Sequence, residues 1–126
     1  MVDRSGYRGV FADMKKLGMR AALINSPDID MADVARLAIQ NGVATMLNGA
    51  PEYVELGGLM AYDSFHADLM QRTAAIIDKL FRGVKLADIP WELPDRTFLA
   101  VNLSTAKALG LTIPSDILLR ADQVVQ

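Results

Sequence analysis

Helical and extended apolar patterns alternate along the first half of the chain, and this alternation limits the folds open to it. Apolar residues at 7–17 recur at helical spacing, and a short apolar run follows at 21–24. Asp30 is a predicted N-cap for a second helical pattern, after which residues 43–47 form another short apolar run. Short apolar runs that alternate with helices are typical of buried parallel strands. The sequence therefore predicts an α/β fold with a mostly parallel sheet flanked by helices.

The second half of the chain predicts the remaining elements of this sheet. Residues 59–62 have the composition of a third strand, and residues 65–80 carry the apolar face of a long helix. Pro90 and Pro94 lack donor N–H groups, so we expect residues 85–95 to form an extended connector. The other predicted elements are a fourth strand at 97–103, a helical turn at 105–109 and a last helix at 115–125.

Size and composition exclude several classes of function. A chain of 126 residues with 52% hydrophobic residues predicts one domain over residues 1–126 with a real core. The 13 basic and 15 acidic residues are spread along the chain, so no basic stripe exists for a nucleic acid. Without cysteine and with a single histidine, the chain has no ligand cluster for zinc, and it has no phosphate-binding glycine motif. We therefore predict no metal, no cofactor and no nucleic-acid partner.

One pair of carboxylates invites a catalytic interpretation. Glu52 and Glu55 flank Tyr53 in a predicted loop, and paired carboxylates can act as acid and base. No metal ligand or activated nucleophile accompanies them, and no serine lies in a G-x-S-x-G motif. The sequence therefore predicts a protein that is not an enzyme.

The tail of the chain carries an unusual order of signals. The segment VNLSTAKALGLTIPSDILLRA at 101–121 ends a strand, turns through Asn102 and Ser104, and enters two short helical patterns. Together with GGLMAY at 57–62 and IDKLFRGVKLADIP at 77–90, this tail resembles the C-terminal part of the substrate-binding proteins of ABC transporters. The resemblance runs from about residue 21 to the end of the chain.

This resemblance implies both a fold and a role. Members of the family have the type I periplasmic-binding fold, in which two α/β lobes close around a small molecule, such as an amino acid. The closed protein presents its ligand to an ABC permease in the membrane. A complete member is more than twice as long, so the chain corresponds to the C-terminal lobe. The helix at 65–82 would then pack on the lobe that is missing.

The missing lobe leads to further expectations. The orphaned helix face and the open sheet edges predict a homo-oligomer, with a helix or a strand exchanged between subunits as one route. An oligomerisation or regulatory module that kept the fold and lost the ligand is the alternative function. The family works outside the cytoplasmic membrane, whereas residues 1–18 contain no apolar run of the kind that a secretory signal needs, so the location stays open.

Candidate ligand contacts follow from the ends of the predicted strands, because ligands of open α/β sheets bind beyond the carboxyl ends. The first predicted strand is followed by Asn25, and the resemblance places the loops after the second and third strands at the cleft. Asn48 would hydrogen-bond an amino or carboxylate group, Tyr53 or Tyr62 would stack on an apolar ligand, and Asp63 would pair with an ammonium. The alternative is that Asn48 and Asp63 only form turns and caps, and Asp63 stands where the family often has glycine.

Overall fold

The computed structural model describes residues 4–25, 29–64, 66–90 and 97–126. In these residues, strands and helices alternate as the sequence predicts. The strands are β1 (Ala21–Ile24), β2 (Ala44–Asn48), β3 (Met60–Ser64), β4 (Thr97–Asn102) and β5 (Gln123–Val125). The α-helices are α1 (Arg4–Lys16), α2 (Met31–Asn41), α3 (His66–Phe81), α4 (Leu103–Ala108) and α5 (Ser115–Arg120). Short 3₁₀ turns lie at Pro51–Tyr53 and Leu86–Asp88.

The strands form one sheet in the order β1-β2-β3-β4-β5. The β1–β2, β2–β3 and β4–β5 ladders are parallel, with Leu23 paired to Met46 and Met46 paired to Met60. At the β3–β4 boundary, the N–H of Asn102 donates to the carbonyl of Leu59 at 2.9 Å. The prediction of a mostly parallel α/β sheet is confirmed. As a result, the carboxyl ends of β1, β2 and β3 meet at one edge of the sheet.

Helix α2 shows how local sequence signals set the element boundaries. The Asp30 carboxylate accepts a hydrogen bond from the N–H of Asp33 at 3.1 Å, which confirms the predicted N-cap. Gly42 ends the helix with φ of 68°, a left-handed conformation that glycine adopts without steric cost. Between these caps, one face of the helix is buried. The buried residues of α2 are Val34, Ala35, Leu37 and Ala38.

The core lies between that face of α2 and one face of the sheet. Along β2, Thr45 and Leu47 are buried, whereas Ala44 and Met46 are only half-buried. This alternation is expected for a strand with one face in a core. The other members of the core cluster come from α1, from the turn between α2 and β2, from the segment between β2 and β3, and from β3 and β4: Phe11, Val43, Tyr53, Val54, Ala61 and Ala100.

The prediction of one helix over 115–125 is wrong at its C-terminal half. Helix α5 ends at Arg120, and Ala121 turns extended with φ of −73° and ψ of 129°. The chain then forms β5, in which Val124 pairs with Val101 of β4. Two hydrogen bonds lead into this pairing, from the N–H of Asp122 to the Leu99 carbonyl at 2.8 Å and from the Leu99 N–H to the Asp122 carboxylate at 2.9 Å. Tertiary pairing therefore overrides the helical spacing of these residues, and two adjacent valines suit a strand.

Two boundaries also differ from prediction. Strand β4 ends at Asn102 and α4 begins at Leu103, because the Asn102 side chain caps the helix and so fixes its start. The segment predicted to be extended contains a 3₁₀ turn at Leu86–Asp88, closed by a hydrogen bond from the Asp88 N–H to the Lys85 carbonyl at 2.9 Å. The predicted connector residues 91–95 and the predicted first helical residue at 65 lie outside the described residues.

The chain divides into two compact units, Met1–Asp63 with Phe98–Gln126, and Ser64–Thr97. The first unit contains the core, and the second contains α3. Within α3, the Thr73 hydroxyl donates to the Leu69 carbonyl at 2.8 Å. Packing of residues 65–82 on a second lobe stays a prediction. No helix within the described residues is long and apolar enough to span a membrane.

Candidate functional site

Three neighbouring strands bring polar and aromatic side chains to the carboxyl edge of the sheet. Asn25 follows β1, Asn48 ends β2, and Tyr62 lies in β3 as the register partner of Asn48. The Asn48 side-chain amide donates to Oδ1 of Asn25 at 3.4 Å, and the N–H of Gly49 donates to the Tyr62 carbonyl at 3.3 Å. These contacts place two of the four predicted ligand contacts, Asn48 and Tyr62, side by side.

The side chains at this edge are accessible from solvent. Asn25 and Asn48 are exposed, and Tyr62 keeps 40% of its surface exposed. Partners in a parallel register project to the same face of a sheet, so the Tyr62 ring and the Asn48 amide share one face. Two neutral amides beside an aromatic ring can hydrogen-bond the polar part of a small molecule while the ring covers its apolar part.

Asp63 lies on the other side of the sheet. Successive residues of a strand project to opposite faces, and Asp63 therefore shares the face of Ala61, which is only 1% exposed. Asp63 itself is half-buried. A contact between its carboxylate and a ligand ammonium stays a prediction, and the strand geometry separates it from Asn48 and Tyr62.

Tyr53 lies in the core rather than at the edge. Its exposed fraction is 0%, and its hydroxyl forms a hydrogen bond of 2.7 Å with Oγ1 of Thr45, which is also buried. Burial raises the pKa of the Tyr53 hydroxyl above 10.0, and the hydrogen bond with Thr45 opposes this effect. A ligand contact by Tyr53 stays a prediction. Its burial gives the ring a packing role that needs no ligand.

The buried hydroxyl pair leads to a prediction about stability. Replacing Tyr53 with phenylalanine should lower the free energy of unfolding by about 1–2 kcal/mol, because the Thr45 hydroxyl then loses its partner inside the core. The same change at the exposed Tyr62 is the matched control, with an expected effect below about 0.5 kcal/mol. Urea denaturation of both variants measures the difference. Equal unfolding midpoints for the Tyr53→Phe and Tyr62→Phe variants would show that the hydrogen bond with Thr45 does not stabilise the fold.

The raised pKa adds a pH signature to this comparison. Below pH of about 10, Tyr53 is protonated in both the folded and the unfolded chain and contributes no pH dependence. As the pH rises further, the unfolded chain releases the proton first, so the stability of the wild type falls. The Tyr53→Phe variant lacks this group. Its stability should fall less steeply above pH of about 10, whereas the Tyr62→Phe control should follow the wild type.

The segment between β2 and β3 is held by the start of α4. The Asn102 side chain donates from Nδ2 to the Val54 carbonyl at 2.7 Å, and its Oδ1 accepts from the Thr105 N–H at 2.8 Å. The Thr105 hydroxyl donates to the Gly57 carbonyl at 2.9 Å. The Asn102-x-x-Thr105 part of the tail therefore fixes the crossover that joins Asn48 to β3. An asparagine three residues before a threonine is the spacing of an N-cap, so the sequence signals the cap. It gives no signal for the hydrogen bonds to Val54 and Gly57.

The two glutamates that flank Tyr53, Glu52 and Glu55, are both exposed. Glu55 accepts a hydrogen bond from the Gln123 side chain at 2.8 Å. Among the described residues, no group of three or more His, Cys, Asp or Glu residues could hold a metal ion.

A family model described as "ABC transporter substrate binding protein" matches residues 37–125. No curated protein matches the sequence.

Several solved structures share the fold. A conserved domain protein from Vibrio cholerae has a TM-score of 0.73 at 18% identity, over 95% of this chain and 41% of its own. The ABC domain from Streptococcus pneumoniae in complex with L-Trp has a TM-score of 0.71 at 24% identity, over 96% of this chain and 42% of its own. A ligand-free, open substrate binding protein with adhesive properties from Clostridium difficile has a TM-score of 0.69 at 19% identity, over 100% of this chain and 42% of its own. The chain thus spans about two fifths of the length of these structures.

Proposed function

The chain belongs to the family of ABC transporter substrate binding proteins, and on this premise we propose that it binds a free amino acid at the carboxyl edge of β1, β2 and β3. The observation that carries the proposal is the juxtaposition of Asn48 and Tyr62 through the β2–β3 register. The similar structure from Streptococcus pneumoniae, a complex with L-Trp, favours an amino acid with a large apolar side chain as the first ligand to test. The permease of an ABC transporter is the proposed downstream partner.

The proposed mechanism is capture without catalysis. A ligand at this edge would rest its apolar side chain on the Tyr62 ring and hydrogen-bond the Asn48 amide through its polar end. In a two-lobed binding protein, the opposite lobe closes over the ligand, and the ligand stabilises the closed state because it binds that state more tightly.

The test is a binding measurement on the chain with a panel of L-amino acids. Calorimetry or a thermal-shift assay with L-tryptophan, L-tyrosine, L-leucine and L-glutamate separates apolar from acidic ligands. A ligand at 100 times its dissociation constant adds about 2.7 kcal/mol to the free energy of unfolding, which shifts the melting temperature by several degrees. Light scattering on the same sample reports the subunit number, since self-association stays a prediction. A stable dimer that binds no amino acid would favour the oligomerisation module.

Tyr62 gives the sharpest variant for this proposal. Replacing Tyr62 with alanine should weaken the binding of L-tryptophan at least about 10-fold, because the ligand loses the aromatic surface, worth about 1.5–2 kcal/mol. The Tyr62→Phe variant keeps the ring and should bind within about 3-fold of the wild type. Since Tyr62 is largely exposed, neither change should shift the melting temperature of the unliganded chain by more than a few degrees. Unchanged affinity of the alanine variant would remove Tyr62 from the site.

A further inference from the structure

Two of the four asparagines of the chain, Asn41 and Asn48, are followed by a glycine. Asparagine is a thermolabile residue, because the backbone nitrogen of the next residue can attack its side-chain carbon Cγ. A glycine at the next position has no Cβ to hinder this approach. The two Asn-Gly pairs share this local chemistry, so we expect the folded structure to set the difference in their reactivity.

The end of α2 protects the Asn41–Gly42 pair. The Asn41 side chain is half-buried and donates to the Leu37 carbonyl at 2.8 Å. The Gly42 N–H donates to the carbonyls of Ala38 and Ile39, so the attacking nitrogen is held as well. Ring closure between Asn41 and Gly42 has to break these hydrogen bonds and open the last turn of the helix. Such local opening costs free energy and slows the reaction.

The Asn48–Gly49 pair lies at the end of β2 and is held less firmly. Asn48 is exposed, and its side-chain contact with Asn25 is 3.4 Å long. The Gly49 N–H donates to the Tyr62 carbonyl at 3.3 Å. Both contacts are longer than the usual N–H···O range of about 2.7–3.2 Å. Ring closure at Asn48 therefore breaks weak hydrogen bonds and does not need to unwind a helix.

We propose that Asn48 is a site of spontaneous deamidation through a succinimide formed with Gly49. The Gly49 nitrogen bonds to Cγ of Asn48, the bond from Cγ to Nδ2 breaks, and the backbone N–H proton leaves with the amide as ammonia. Water then opens the ring. Addition at Cγ gives aspartate, and addition at the backbone carbonyl carbon gives isoaspartate. Water is the only co-reactant, and no step is an oxidation or a reduction.

Both products change the carboxyl edge of the sheet. Each replaces the neutral amide of Asn48 with a carboxylate, beside the register partner Tyr62. Isoaspartate also adds one methylene to the backbone before Gly49, which moves the Gly49 N–H relative to the Tyr62 carbonyl. The inference depends on the structure at the end of β2 and not on the proposed function. If the proposed function also holds, deamidation lowers the fraction of the chain that binds its ligand.

The experiment follows both Asn-Gly pairs in one sample. The chain is incubated at mildly alkaline pH and physiological temperature in water labelled with ¹⁸O, then digested at intervals and mapped by mass spectrometry. The label marks each deamidation that happens during the incubation, and fragment ions that contain residue 41 without residue 48 assign the site. We expect Asn48 to convert at least about 10-fold faster than Asn41, because ring closure at Asn41 breaks more hydrogen bonds.

The unfolded chain is the control for the role of structure. In urea, neither pair keeps its hydrogen bonds, so the two asparagines should convert at similar rates. The Asn48→Gln variant keeps an amide but would have to close a larger ring, and it should lose the fast conversion. The Asn41→Gln variant is the matched control and should keep it. Circular dichroism of both variants shows that they fold, so that a change in rate reports on the substituted residue.

The outcomes separate this inference from the proposed function. Equal rates for Asn41 and Asn48 in the folded chain, or conversion of Asn48 in urea alone, would overturn the deamidation site. Fast conversion of Asn48 supports it whether or not a ligand binds. If Asn48 converts and fresh chain binds no amino acid, the deamidation site stands and the proposed function is overturned. If fresh chain binds L-tryptophan and converted chain does not, both stand.

Discussion

Replacing Asn102 with alanine should lower the free energy of unfolding by about 3 kcal/mol, close to half the stability of a marginal domain. The substitution removes the N-cap of α4, at a cost of about 1 kcal/mol. It also deprives the Val54 carbonyl of its donor, and Asn102 is 5% exposed, so water cannot easily replace the bond. An unsatisfied buried carbonyl costs a further 1–3 kcal/mol or so. Chemical denaturation followed by circular dichroism measures the change.

Asp30 provides a matched control for the Asn102 prediction. Its side chain caps α2 in the same way, but this cap is exposed. Within the described residues, no second hydrogen bond from the Asp30 side chain corresponds to the one between Asn102 and Val54. The Asp30→Ala variant should therefore lose only about 1 kcal/mol. The Asn102→Ser variant keeps an N-cap acceptor for the Thr105 N–H without the amide donor or a new charge, so its loss isolates the bond to Val54. Equal losses at residues 30 and 102 would show that this bond contributes nothing to stability.

Local signals account for the elements that the sequence predicted well. Asp30 and Gly42 are a cap and a terminator whose chemistry depends only on neighbouring residues, and both ends of α2 follow from them. The short apolar runs that became β1 and β2 are recognisable for the same reason, since a strand within a parallel sheet needs no polar alternation. The parallel direction of the first three strands then follows from their connections, which are α2 between β1 and β2 and the crossover segment between β2 and β3.

Long-range contacts account for what the sequence did not predict. Val124 and Val125 continue a helical spacing, and only the partner strand β4 makes them a strand. Tyr53 stands between two glutamates in a loop, which is typical of an exposed residue, yet its hydroxyl has a buried partner in Thr45. The bond from Asn48 to Asn25 also joins residues that are 23 positions apart. No periodicity or spacing within either segment encodes such a pairing.

The same distinction applies to the candidate site. The rule that ligands bind at the carboxyl ends of parallel strands was enough to predict Asn48 and Tyr62 at one edge, and the β2–β3 register places them together. The rule does not say which face each residue occupies. Strand alternation sends Asp63 to the face opposite Tyr62, because the two residues are consecutive within β3.

Replacing Gly58 with alanine should destabilise the fold by about 3 kcal/mol or prevent folding, the upper range for overpacking a core. A Cβ at Gly58 would overlap Cδ1 and Cε1 of the Tyr53 ring, closer than real Cβ contacts come. The ring cannot move aside easily, because it is fully buried and its hydroxyl is bonded to Thr45. The backbone is held as well, since the Gly58 N–H donates to the Tyr53 carbonyl at 2.8 Å. Thermal and urea denaturation measure the loss.

Gly9 provides the opposite control with the same chemical change. It lies within α1, where an added Cβ meets no atom within 4 Å. Alanine is the better helix former, so the Gly9→Ala variant should gain about 0.5–1 kcal/mol. The two substitutions should therefore change stability in opposite directions. A loss at residue 9 as large as that at residue 58 would contradict this prediction, because an added Cβ at Gly9 meets no atom within 4 Å.

A double substitution separates the ring clash from every other effect at Gly58. The Tyr53→Leu variant removes the ring atoms that the new Cβ would meet, at the cost of the hydroxyl bond to Thr45. If the clash dominates, adding Gly58→Ala to Tyr53→Leu should cost less than about 1 kcal/mol, far below its cost in the wild type. The difference is a coupling energy of about 2 kcal/mol, within the range for residues in direct contact. Additive losses would instead place the strain in the backbone of the crossover, independent of Tyr53.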